Sequence, residues 1–147
     1  MGYNTGDNIA LSYATGNVSG LTKIGGLVGE NYQGSVLTSY AIGNVSGATQ
    51  IGGLVGYNNL GHIENTYATG NVSGAGGVGG LVGVTLGEKK VSVDNDCHVV
   101  GCAKTLPTII NSYSMGNVSG RDKGTGGLVG HDDRDEIFNS YSVGEVS

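Results

Sequence analysis

Basic residues are scarce. Seven Lys and Arg stand against twelve Asp and Glu, a formal charge of −5 at pH 7, so the sequence offers no basic patch to nucleic acid or an anionic membrane. No apolar run approaches the length of a membrane span, and no charged stretch followed by an apolar one opens the chain as a leader. Tryptophan is absent and proline occurs once. Helical periodicity is nearly missing too: apart from Leu106, Ile109 and Ile110, which span the one proline, no ten-residue window free of glycine carries apolar residues at i, i+3 and i+4, which disfavours helix-pair and leucine-rich repeats. Glycine, by contrast, occurs 30 times in 147 residues, without the strict Gly-X-Y period of collagen. Val, Ile, Leu and Tyr recur too regularly among these glycines for a disordered chain.

That regularity is a repeat. Ser-Tyr-Ala-x-Gly-Asn-Val-Ser-Gly or a close variant occupies 12–20, 39–47, 66–74 and 112–120, with a partial fifth copy at 140–147. Ile-Gly-Gly-Leu-Val-Gly or a variant follows each full copy at 24–29, 51–56, 78–83 and 125–130. Tyr13, Tyr40 and Tyr67 are spaced by 27 residues, Tyr67 to Tyr113 by 46 and Tyr113 to Tyr141 by 28. Val, Ile, Tyr and Thr favour strands, and recurrent Gly favours tight turns and close backbone approach. The expected architecture is therefore all-β: one domain over 1–147, a parallel β-helix (β-solenoid) of about five coils with about 27 residues per coil. A right-handed coil is expected from the usual crossover rule and from 27 not dividing into hexapeptides.

Stacking coils at roughly 4.8 Å places equivalent residues above one another. Tyr13, Tyr40, Tyr67, Tyr113 and Tyr141 should form an aromatic column, and Asn17, Asn44, Asn71 and Asn117 an amide column hydrogen-bonded up the stack. Period-2 alternation in Ala68-Thr69-Gly70-Asn71-Val72 places Ala, Gly and Val inward. The variable Thr15, Ile42, Thr69, Met115 and Val143 then face outward. Ile9, Val36, Ile63, Ile109 and Ile137 should complete a thin interior, stabilised by contacts between neighbouring coils. By the spacing of the first copy, the glycine closing the last coil would lie at about 157, beyond Ser147; the expectation is a fragment with open sheet edges that self-associates.

The long 46-residue interval marks one inserted loop of 19 residues at about 84–106. Its Lys89, Lys90, Asp94, Asp96, His98 and Lys104 are the candidate binding residues, since insertions in solenoids gather on one, often interacting, face. Cys97 and Cys102 also lie there. They admit a short-loop disulfide, part of a metal site, or two free thiols, though one His beside one Cys falls short of four zinc ligands.

Other motifs have plain structural readings. The four Asn-Val-Ser sequons, starting at Asn17, Asn44, Asn71 and Asn117, follow from the repeat itself, and glycans on each would crowd one another. Gly-Gly-Leu-Val-Gly lacks the Lys-Ser/Thr of a phosphate loop, and Leu81 stands where a calcium-binding solenoid needs Asp. Asp132, Asp133 and Asp135 are weak cation candidates, read first as a solvated turn; no metal and no cofactor is expected. His62, His98 and His131 belong to no His-Glu-x-x-His, and no Gly-x-Ser-x-Gly elbow is present, so no catalytic residues are assigned and the chain is read as not an enzyme.

Ser-Tyr-Ala-Thr-Gly-Asn-Val-Ser-Gly at 12–20, with Ile-Gly-Gly-Leu-Val-Gly at 24–29, resembles the GLUG motif of bacterial surface and secreted proteins. Such repeats form stalk or β-helical regions in large adhesins resembling filamentous haemagglutinin and in immunoglobulin A proteases. The resemblance implies an extracellular or cell-surface location and a role as rigid spacer and adhesive surface. It implies as partners a host-surface glycan or protein, or further copies of the chain, with no nucleic acid and no membrane insertion. An oxidising surface would favour the Cys97–Cys102 disulfide. The motif brings no functional residues of its own. The alternative reading is a non-catalytic β-helical part of a carbohydrate-processing enzyme or protease.

Overall fold

The computed structural model describes residues 1–87 and 106–147. Every regular element among them is a short parallel strand, and the strands stack into five sheets. One sheet contains Tyr3–Thr5, Val28–Tyr32, Val55–Asn59, Val82–Leu86 and Val129–Asp133; another contains Tyr13–Ala14, Tyr40–Ala41, Tyr67–Ala68, Tyr113–Ser114 and Tyr141–Ser142. Pairing joins residues one repeat apart: Tyr3 with Glu30, Ile24 with Ile51, Ile63 with Ile109. The molecule is a parallel β-solenoid of about five coils, as the period predicts.

The interior follows the alternation. Val36, Ile63 and Ile109 are fully buried in one column, and Ala41, Ala68, Val45, Val72 and Val118 are 1% exposed. Ile137, in the same column, is 40% exposed because no described coil lies beyond it. Ile42, Met115 and Val143 point outward at 47%, 54% and 58%. Glycine is imposed where coils touch. A Cβ on Gly53 would collide with the Gly80 carbonyl of the next coil and crowd Ala68, whereas one on Gly16, at the edge of the first coil, would meet nothing.

A second amide column runs through the interior. Asn4, Asn31 and Asn58 are 3%, 0% and 0% exposed. Asn4 Nδ2 donates to Asn31 Oδ1 at 2.8 Å and Asn31 Nδ2 to Asn58 Oδ1 at 2.9 Å. Their remaining amide hydrogens go to the carbonyls of Asp7, Gly34 and Gly61, three residues on. These bonds satisfy polar groups that would otherwise be costly to bury. The Asn17, Asn44, Asn71, Asn117 column also bonds up the stack, but differently from a side-chain ladder: each Oδ1 accepts the backbone N–H of the next coil, at 2.9 to 3.0 Å, and the fourth receives Glu145 N.

The register corrects the insertion boundary. Val84, Thr85 and Leu86 pair with Tyr57, Asn58 and Asn59, so they are coil and not loop. Leu60 N donates to Leu86 O and Gly87 N to Asp133 O, which puts residue 87 at position 60 of the repeat. Thr108 pairs with His62, so Pro107 stands at position 61. The 19 added residues are thus 88–106.

Two substitution pairs test this packing. Asn58→Ala should cost about 2–5 kcal/mol by orphaning buried partners, against about 1 kcal/mol or less for the exposed Asn44→Ala, read by urea denaturation. Gly53→Ala should cost at least about 1–3 kcal/mol through overpacking, while Gly16→Ala leaves the midpoint nearly unchanged.

Candidate functional site

The insertion candidates Lys89, Lys90, Asp94, Asp96, His98 and Lys104, with Cys97 and Cys102, lie outside the described residues. The coils that flank the insertion carry the described polar clusters.

The tyrosine column forms as expected. Successive ring centroids are 5.3, 4.9, 5.2 and 5.4 Å apart with interplanar angles of 10° or less. Identical side chains in register thus stack face to face, each ring covering its neighbour. Tyr13 and Tyr141, at the column's ends, are 65% and 57% exposed. Beneath them the residue before each tyrosine forms a hydroxyl column that was not assigned a role from sequence. Ser39 Oγ accepts Ser12 N, Ser112 Oγ accepts Thr66 N, and Ser140 Oγ accepts Ser112 N.

A polar row on the next sheet brings together residues from two coils. His62 and Thr108 are register partners across the insertion. His62 Nδ1 contacts Thr108 Oγ1, and its Nε2 lies 3.1 Å from Glu64 Oε2. Hydroxyl, imidazole and carboxylate are thus in line, as a nucleophile, base and orienting group would be. The row sits on an open sheet face, with His62 and Glu64 side chains 35% and 37% exposed. The signal in the sequence was His62 and Glu64 two apart on one strand, hence on one face; the 46-residue interval concealed Thr108.

The acidic turn departs from the simple solvated reading. Asp132 takes the position held by Asn4, Asn31, Asn58 and Thr85, and Asp135 that of Asp7, Gly34, Gly61 and Pro107. At Gly34 and Gly61 the Asn amides leave no room for a Cβ. Thr85 is shorter than Asn, which frees the space that the Asp135 carboxyl enters. Both of its oxygens are sealed from solvent with no hydrogen-bond donor at standard geometry; Asp132 and Thr85 are the side chains that act on it. Burial, then the neighbouring Asp132, raises its pKa from 3.8 to about 7. Asp132 is held below its usual value, first by the neighbouring Asp135 side chain, with the hydrogen bonds from Asp135 N–H and Thr85 Oγ1 adding to it. Asp135 therefore takes up its proton near neutrality, at a pH where Asp132 is still ionised. Asp133 turns away to Arg134, whose Nε is 3.5 Å from its Oδ1. Among the described residues no three His, Cys, Asp or Glu side chains form a metal-ligand set.

Stacked coils with recurrent columns and these surface clusters define a β-solenoid repeat protein. The profile of the GLUG motif matches residues 47–73, one full period from Gly47 through the third Ser-Tyr-type block. No curated protein and no solved structure matches the chain significantly.

The carboxyl pair has a defined pH signature. With the folded pKa near 7 and the unfolded value near 3.8, the native chain holds a proton that the unfolded chain has lost. This contribution to stability is complete below about pH 3.8 and disappears as pH rises through about 7. Asp135→Asn should therefore be more stable than wild type at pH 8 and flatten the profile between pH 5 and 8, in thermal melts at constant ionic strength. The depressed Asp132 acts in the opposite sense and only at lower pH, where stability falls as it protonates.

Proposed function

We propose that the chain is a rigid spacer and display segment of a secreted or cell-surface protein. The supporting observation is the continuous register of all five coils, in which interior columns repeat while outward positions such as Thr15, Ile42, Thr69, Met115 and Val143 vary. A fixed interior with a free exterior suits a scaffold whose surface is tuned coil by coil. The insertion at 88–106 is the proposed contact patch for a host glycan or protein. The proposal extends to association with further copies of the chain.

An antibody raised against this chain should label intact cells that produce the protein, and protease shaving should remove the signal. Labelling only after lysis defeats the reading. The Thr108–His62–Glu64 row favours a second reading, in which the segment belongs to a carbohydrate- or ester-cleaving protein. Turnover of a glycan or ester panel that disappears in Thr108→Ala, with folding intact, would establish it; binding without turnover favours the spacer.

A further inference from the structure

A groove of about 370 Å³ runs along the solenoid axis at the corner between the Asn-Val-Ser strands and the strands that follow them. Its wall is a row of exposed serines, Ser46, Ser73 and Ser119, registered one coil apart. Gly47 and Gly74 form the bend, and Ala48 and Ala75 the floor. The groove exists because of what lies in the floor's column. Ala48 N donates to Leu21 O, Ala75 N to Ala48 O and Arg121 N to Ala75 O, so the column reads Leu21, Ala48, Ala75, Arg121. Two small residues lie between two large ones. Leu21, 78% exposed, stands at one end, and Arg121 lines the other.

Arg121 opens the one turn that is a residue longer than its counterparts: Gly120 to Thr125 is five steps where Gly74 to Val78 is four. Ala75 O accepts both Arg121 N and Asp122 N, at 3.2 and 2.7 Å, which fixes the start of this turn. Among the described residues the Arg121 guanidinium has no carboxylate partner. Asp122 and Lys123 beside it leave a local excess of one positive charge on a chain of net charge −5.

We propose that this groove binds an acidic oligosaccharide, two sugar units long, with a uronic carboxylate on Arg121. The volume lies within the range of small-ligand sites. From Ser46 to Ser119 is two coil steps, about 10 Å at roughly 4.8 Å each, and pyranose units in an extended chain advance by about one such step. A ladder of hydroxyls that both donate and accept matches the hydroxyls of successive sugars. The planar guanidinium pairs with a carboxylate through two parallel hydrogen bonds, more strongly than with a neutral hydroxyl. The small floor lets a ring lie close to the backbone. The site is formed wholly by the described coils and does not involve 88–106, so it stands or falls separately from the spacer reading.

The test is NMR titration of the full chain with digalacturonic acid, with neutral digalactose and inorganic sulfate as comparison ligands. Saturable shifts of the Ser46, Ser73 and Ser119 amides are expected with the acidic disaccharide, at least tenfold weaker with either comparison ligand. Arg121→Gln should lower affinity about tenfold or more, Arg121→Lys less, and Ala75→Leu should block binding while amides of distant coils keep their positions. If Ala75→Leu disturbs those amides, Arg121→Gln alone decides. Absence of saturable shifts, equal affinity in Arg121→Gln, or sulfate binding as tightly as the disaccharide would each overturn the proposal.

Discussion

The structure depends on one constraint: each residue's backbone must pair with the residue one repeat away. Parallel strands of two to five residues are too short to hold a sheet through their own length. They persist because five sheets share the same coils, so a slip in one would have to occur in all. Every recurrent feature follows from that shared register. A side chain at a given position meets only its own equivalents above and below, and only some residue types tolerate such company. Tyrosine stacks, asparagine both donates and accepts, serine caps a neighbouring N–H, and glycine lets carbonyls approach.

The same constraint explains how the polar interior is organised. A buried amide column is stable only where each member finds a partner on both sides. Asn31 meets that condition, accepting from Asn4 and donating to Asn58, and Gly34 and Gly61 stand at the crowded places three residues after Asn31 and Asn58. At Thr85 the pattern breaks, and the following coil answers with two acids in the freed space. The Asp132–Asp135 pair is thus a consequence of shortening one side chain in a column. The proton that Asp135 holds up to near neutrality follows from burial of that carboxyl.

The fold was legible because the period is long, repeated and rich in strand formers; the tyrosine file, the inward Ala and Val, and the outward variable positions all follow from spacing. The Asn-Val-Ser column was found, but its bonding was not, since sequence does not distinguish an Oδ1 that meets an amide from one that meets a backbone N–H. The buried ladder was missed because Asn4, Asn31 and Asn58 sit in a segment whose neighbours change from Thr to Tyr to Asn, which reads as a polar turn. The insertion was placed four residues early, because Val84, Thr85 and Leu86 fill positions held elsewhere by Tyr57, Asn58 and Asn59 with no shared residue type. The groove was invisible for a related reason: it is made by alanines that matter only when Leu21 and Arg121 are known to bracket them.

Register also governs how such a chain can change in length. Loss or gain of one whole 27-residue unit returns every position to its equivalent in the next coil, whereas any other length change in a strand misaligns five sheets together. Addition of a whole repeat therefore keeps the register at the junction, and the segment can grow or shrink in steps of one coil, roughly 4.8 Å. The 19 added residues obey the same arithmetic in their effect: residues 87 and 107 on either side of them still hold consecutive positions of the repeat.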